Sequence, residues 1–497
     1  KTTVISLCAS QQCGHSPERP VLPGSSENAA MTQINSLSLS APRAPMPFRP
    51  AAPEGLDEEP GALALLFDGA LRNPLVGIPK VAFETPYRRM RFLHLVYHGV
   101  SDPDAIKRVF LDNAQNYVRP GMVRRMLAPT IGDSLFNAEG DSWRQQRRMM
   151  APVFSPAAVS AFTPLFAQVA DATCARWAAF DGGPVDIAAE CVRATLKVID
   201  EALFSGQTDM SFEETAGHIR AFLTGATEIR LGLLLGLEAL DGGLVQRRAR
   251  LARRILVERM SAFIARRADD PEPAEDFVTR LYAAFLREHP RDVAIRLTLD
   301  NAMTFFVAGH ETTANALTWA LYLLSRDPQA QAWAHEEARE AWDAGGSPDE
   351  VLARLPYLRM VWEETLRLYP PVPRIDRQAV EDDELCGHRI RKGEMVTIWP
   401  WVLHRHRTLW KDPELFNPEN FDPEAKATHH RYQYIPFGAG PRICIGMPFA
   451  QAEGLLLLSR WLSAFRFRPV TDHEVQPWAD VTLRPTDGLP LILEPVS

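Results

Sequence analysis

Cysteine is scarce and scattered in this chain. The 497 residues hold Cys8, Cys13, Cys174, Cys191, Cys386 and Cys444, with no C-x-x-C pair. That argues against a disulfide framework and a clustered zinc site, and it fits a reducing compartment, so a cytoplasmic location is expected. A run of 18 apolar residues is also lacking. The longest pieces, 231–240 and 455–458, are too short or interrupted for a membrane anchor, and none is expected. Residues 4–9 are too short for the core of a signal peptide. Positive charge is not in excess: Lys and Arg number 54 against 62 Asp and Glu, a net charge of −8. No general nucleic-acid-binding face is expected from that balance.

What is present has the composition of an ordinary globular protein, 46% hydrophobic and 23% charged. Residues 1–45 are rich in Ser, Pro, Gly and Gln without periodicity. They are expected to be disordered or extraneous, with Met31 as an alternative start and ordered structure from about Pro60. Residues 91–99 read as a strand and 103–111 as a short helix. From 142 to about 360 the pattern is helical, broken by turn signals at Gly182-Gly183, Gly242-Gly243 and residues 269–273. After Pro370, strand-like runs such as 395–399 alternate with Pro-rich loops such as 417–423. One more long helix is expected over about 447–465. Length alone suggests two or three domains. No linker separates the helical middle from the strand-containing ends, however. The expectation is therefore a mainly α fold with small β-sheets (α+β), in a single large domain over 46–497.

The most informative segment is Phe437-Gly438-Ala439-Gly440-Pro441-Arg442-Ile443-Cys444-Ile445-Gly446. Two glycines and a proline set a tight turn before Cys444, and a helix follows Gly446. A cysteine there meets backbone N–H groups and a helix dipole that favour its thiolate. Glycines let a flat cofactor approach, Phe437 can cover the sulfur, and Arg442 can reach a cofactor carboxylate. A lone cysteine is most often just a buried apolar residue. Here, though, F-x-x-G-x-R-x-C-x-G is matched at all five specified positions. The segment resembles the haem-binding loop of the cytochrome P450 family, in which the cysteine thiolate holds the iron.

Other segments resemble the same family in the same order. Ala308-Gly309-His310-Glu311-Thr312-Thr313 lies in a helix expected from about Asp300 to Arg326, close to 40 Å long. Read alone, Gly309 is as well explained by helix packing, and Thr312 by a bond to its preceding turn. The resemblance implies a long central helix over haem. Glu311 would relay protons, Thr312 would bond iron-bound oxygen, and Ala308 and Gly309 would contact oxygen or substrate. Glu364 and Arg367, three apart on one helix face, resemble the family's E-x-x-R lock. The family often adds an arginine to it; this sequence has Asn420, which can bond the pair but adds no charge. Trp143 and Arg147 resemble the W-x-x-x-R helix that binds haem propionates, with Arg377 and Arg442 as further cations. Gly446 completes the cysteine loop.

The resemblance covers about residue 60 to the C-terminus. It implies a monooxygenase with haem b (iron protoporphyrin IX), Cys444 as metal ligand, and O2 as co-substrate. About 50 residues follow Cys444, too few for a fused flavin reductase, so a separate ferredoxin or flavodoxin with its reductase is expected. Arg144, Arg148 and Arg431 are candidates for its docking face. Apolar stretches at 118–135, 222–240, 305–308, 372–375 and 483–489 imply a hydrophobic small-molecule substrate of fatty-acid, steroid or terpenoid type. Arg230 or Arg374 is a candidate partner for a substrate carboxylate. A peroxygenase, a haem sensor and a non-haem binder of apolar ligands are the competing readings. The acid–alcohol pair Glu311–Thr312 favours dioxygen chemistry over the first two.

Overall fold

The computed structural model describes residues 48–58, 73–92, 95–180, 182–207, 244–471 and 473–496, with four isolated positions between 214 and 221. The expectations for residues 1–45, for Gly242-Gly243 and Arg230, and for the apolar stretch 222–240 lie almost wholly outside them. Ordered chain begins before Pro60. The Tyr322 hydroxyl accepts from Ala51 N at 3.1 Å, and the Tyr369 hydroxyl donates to Ala51 O at 2.7 Å.

Helices begin where the sequence supplies caps. Asp102 accepts from Ala105 N to open α1 (Pro103–Lys107). Two helices flank the loop that follows: α2 (Gly121–Ile131) and α3 (Gly140–Met150). After α4 (Thr163–Ala178), Asp186 caps α5 (Ile187–Phe204). Next come α6 (Leu244–Asp269) and α7 (Phe277–Leu286), the latter capped by Asp276. The longest helix, α8 (Arg291–Arg326), has 36 residues, about 54 Å at the usual rise. It starts nine residues before the expected Asp300, directly after Pro290, and stops as expected at Asp327-Pro328. Asp327 then caps α9 (Pro328–Asp343), and a Ser347–Glu350 capping box opens α10 (Pro348–Ala353). Pro356 opens α11 (Pro356–Leu368), and α12 (Met447–Ala464) follows Gly446.

The expected strand at 91–99 is in fact a hairpin, β1 (Tyr87–Phe92) against β2 (Leu95–Val100). It joins β3 (Tyr117–Val118), β5 (Ile375–Ala379) and β8 (Met395–Ile398) in one sheet of order β1-β2-β8-β5-β3, with only β2–β8 parallel. A short strand, β4 (Val185–Asp186), interrupts the helical stretch and pairs with β12 (Pro490–Pro495) beside β9 (Phe465–Pro469). The hairpins β6 (Asp383–Leu385)–β7 (His388–Ile390) and β10 (Pro477–Ala479)–β11 (Leu483–Pro485) complete the strands. The expected loop at 417–423 contains a 3-10 turn, Pro418–Phe421. Among the described residues no single helix is long and apolar enough to cross a membrane.

The long helix α8 is the shared spine of two apolar cores. Its N-terminal half, through Ala294, Leu297, Ala302, Met303 and Phe306, packs with α5, α6 and α7. Its C-terminal half, from Ala314 to Leu324, packs with α4, α9, α11 and α12. Residues 307–313 belong to neither core, and that interval positions the site.

Candidate active site

The Cys444 loop is built by backbone geometry. Gly438 and Gly440 have φ of +71° and +67°, the left-handed region that L side chains avoid. Gly440 also lies against the Phe110 carbonyl so closely that a Cβ there would collide with it. Cys444 N donates to Phe437 O at 3.0 Å, closing the loop. Burial pushes the Cys444 thiol up, while N–H groups of Gly446 and Met447 and the Arg147 guanidinium pull it down. By surface area Cys444 is exposed, yet protein atoms surround it on all sides. Both hold for a sulfur that faces an internal cavity.

The opposite wall is the coreless interval of α8. Ala308 is exposed although Phe306 and His310 beside it are buried. Phe154 joins the two walls: its ring packs on Phe305 at 5.2 Å, and a Cβ on Gly446 would lie 4.0 Å from it. The Thr312 hydroxyl donates to Ala308 O at 2.9 Å, the bond to the preceding turn that the sequence allowed. Glu311 Oε1 accepts from Thr482 Oγ1 at 2.9 Å. Gly309 meets α5: a Cβ would lie 2.9 Å from Ile199 Cδ1, so this glycine serves helix packing. His310 is buried with Nδ1 2.8 Å from Phe306 O, and burial lowers its pKa to about 4, so it is neutral.

An arginine cluster rims the cavity. The Arg442 guanidinium lies 4.5 Å over the Trp143 ring and pairs with Glu139. Arg377 donates to Asp376 O at 2.9 Å and lies over Phe110. Sequence reading missed Arg119, whose NH1 is buried without a hydrogen-bond partner. Burial first, then repulsion from Arg377 and Arg442, lowers the Arg119 pKa to about 9; burial and Arg442 lower Arg377 to about 10. A guanidinium does not give up its proton in a protein, so these directions record an unmet need for negative charge. Glu139 and Asp376 are the acids at hand for Arg119, Arg124, Arg377 and Arg442. A cofactor with two carboxylates fits that deficit. Arg147 is half-buried, and its charge acts on Cys444.

Behind the loop, Glu364 and Arg367 are fully buried and doubly bonded, at 2.7 and 2.8 Å. Arg367 also donates to the carbonyls of His404, Pro413 and Leu415. Asn420 Nδ2 reaches both Glu364 oxygens at 3.3 Å, and Asn417 N donates to Oε1 at 2.8 Å. The carboxylate therefore has its partners without a second arginine. Sequence reading also missed Glu453 of α12, which is buried against Thr313 and pushed well up by that burial. Of the docking candidates, Arg144 pairs with Asp141 and Arg148 with Glu288, and Arg431 is exposed. Arg374 pairs with Asp376 at 2.9 Å.

A surface groove of about 540 Å³ between α4 and α5 is lined by Gln168, Arg176, Lys197 and Glu201 and does not include Cys444. The site is therefore assigned from the chemistry and not from this groove.

Comparison with known proteins agrees with this geometry. The family profile described as Cytochrome P450 matches residues 83–489. Cyclooctatin synthase of Streptomyces melanosporofaciens is 32% identical over 395 residues, covering 77% of this chain and 83% of that protein. Protein LUTEIN DEFICIENT 5, chloroplastic, of Arabidopsis thaliana is 30% identical over 445 residues, covering 85% and 74%. Human cytochrome P450 4F2 is 31% identical over 424 residues, covering 80% of each. A crystal structure of the cytochrome P450DA heme domain superposes with a TM-score of 0.77 at 23% identity, covering 90% of this chain and 99% of that one.

Proposed function

Since this chain belongs to the cytochrome P450 family, we propose that it inserts one atom of O2 into a hydrophobic small molecule of fatty-acid, steroid or terpenoid type. Monooxygenase activity, a haem–thiolate cofactor and a redox partner come with the family. The finer assignments are haem b as the cofactor and Cys444 as the residue that would hold its iron. The observation that carries this reading is the interior-facing Cys444 sulfur beside a cluster of buried arginines with too few acids, in which Arg119 NH1 has no hydrogen-bond partner. The bound haem supplies reductive activation of dioxygen, with one oxygen atom going to substrate and the other leaving as water.

The chain's own residues do the rest. Trp143, Arg147, Arg377, Arg442 and the newly placed Arg119 hold the propionates. Phe437 shields the sulfur, and Gly446 lets α12 start beside it. Ala308 leaves space for substrate. Thr312 Oγ1 exchanges its bond to Ala308 O for one to dioxygen, and the Glu311 carboxyl passes it protons from solvent. Glu364, Arg367 and Asn420 keep the segment behind the loop rigid. Electrons arrive from a separate ferredoxin or flavodoxin served by its reductase, with Arg431 the strongest of the three docking candidates because Arg144 and Arg148 are already paired. The Arg374–Asp376 pair weakens Arg374 as an anchor for a substrate carboxylate.

The test is spectroscopic. Reduced protein with carbon monoxide should show the red-shifted Soret band of thiolate ligation, and Cys444→Ser or Cys444→His should abolish it. A band unchanged in both variants refutes the ligand assignment. A spin-state screen of lipophilic compounds then narrows the substrate.

A further inference from the structure

The acid at the centre of the proposed relay is held from outside its own helix. The Thr482 hydroxyl donates to Glu311 Oε1 at 2.9 Å across 171 residues of chain. Thr482 is 4% exposed, so water does not compete freely for that bond. Its position is fixed by the residue beside it. Leu483 N donates to Pro371 O at 3.0 Å, and Leu483 O accepts from the Trp319 indole at 3.0 Å. Trp319 sits two turns beyond Glu311 on α8 and is fully buried. The β10–β11 turn is therefore clamped to the same helix that carries Glu311. At its tip Val481 is 44% exposed, and Asp480 pairs with Arg484 at 3.2 Å, so these charges are directed at each other. The other titratable groups that face this part of α8 are His310 on the helix itself, which is neutral, and the buried Glu453 of α12 against Thr313.

We propose that Thr482 is the positioning residue of this relay, holding the Glu311 carboxylate by a hydroxyl hydrogen bond supplied from the C-terminal β-hairpin. The inference rests on the reading of Glu311 as the proton carrier and adds what aims it. A hydroxyl donating to an ionised carboxylate stabilises the charged form and fixes the orientation of the carboxyl group. The hairpin's second strand opens the stretch 483–489, expected to line the substrate space. A substrate that displaces the β10–β11 turn would loosen the Thr482 bond and release Glu311 for proton transfer. Occupancy of the pocket is thereby linked to proton supply.

The experiment uses holoenzyme throughout. Difference infrared titration identifies the Glu311 carboxyl as the band lost in Glu311→Gln. In Thr482→Val, which keeps the shape and loses the hydroxyl, that carboxyl should titrate about one pH unit higher. Thr482→Ser should restore the original value. An unchanged titration in Thr482→Val, with the thiolate Soret band intact, overturns the proposal. The same outcome follows if Thr482→Ser fails to restore it. In parallel, NADH-driven O2 consumption with a surrogate ferredoxin pair is measured in H2O and D2O. The solvent isotope effect should change in both Glu311→Gln and Thr482→Val. An effect unchanged in Glu311→Gln refutes Glu311 as the proton carrier, and Thr482's part in the relay with it, even where the infrared shift is present.

Discussion

At the scale of single residues, the arginines and the Thr312 hydroxyl make the most direct demands. A buried guanidinium without an acceptor costs about 1–3 kcal/mol, and Arg119 NH1 is in that state. Arg119→Leu should therefore have opposite signs in two forms of the protein. Haem-free protein should gain stability to urea, and the expressed protein should carry less haem, read as the ratio of Soret to protein absorbance. Equal occupancy with unchanged stability would remove Arg119 from the site. Thr312→Ala should leave haem ligation intact while diverting reducing equivalents to peroxide. Peroxide per NADH measures that diversion, and an unaltered ratio would refute the proton-donor role. The cysteine loop and the Glu311–Thr312 pair were legible because their meaning lies in local spacing. Arg119, Glu139 and Thr482 were not, because folding brings them to partners 171 residues away or more: Arg119 to Arg377 and Arg442, Thr482 to Glu311.

At the scale of elements, two glycines separate two kinds of helix packing. A Cβ on Gly454 of α12 would strike the ring of Trp362 of α11, which is 2% exposed and has no room to retreat. On Gly309 it would meet Ile199 at Cδ1 (2.9 Å) and Cγ1 (3.4 Å), the end of a side chain that can rotate away. Overpacking of the first kind costs about 1–3 kcal/mol, whereas alanine recovers about 1 kcal/mol of helix propensity at either site. Gly454→Ala should be clearly destabilising in denaturant titrations, and Gly309→Ala close to neutral. Equal losses would show that Ile199 is as immobile as Trp362. Most helix ends were legible from Asp, Ser and Pro caps. The early start of α8, directly after Pro290, was missed although Val293, Ala294, Ile295, Leu297 and Leu299 already carry its apolar pattern. The β1–β2 hairpin was merged into one strand because its turn lacks a Gly or Asn signal. The E-x-x-R pair was legible as a helical spacing, but not as a fully buried lock, since its carbonyl partners at 404, 413 and 415 come from the segment after β8.

At the scale of the whole molecule, cofactor and fold are linked. Anything that binds only the native state raises its stability by mass action. Removal of haem should lower Tm by on the order of 10 °C. Proteolysis of the haem-free chain should begin within residues 119–139 and 436–446, where the arginine cluster and the cysteine loop lose their common partner. Early cuts confined to other segments would argue against that coupling.

Because α8 passes through two separately packed halves and is free of both between residues 307 and 313, the molecule keeps its reactive chemistry apart from its upholstery. The half around α6 and α7 still reaches the cysteine loop through Phe154 and Ile445, so recarving it to admit a different guest would be felt at Cys444. A library confined to Leu297, Met303 and Phe306 is where a search for altered selectivity would begin.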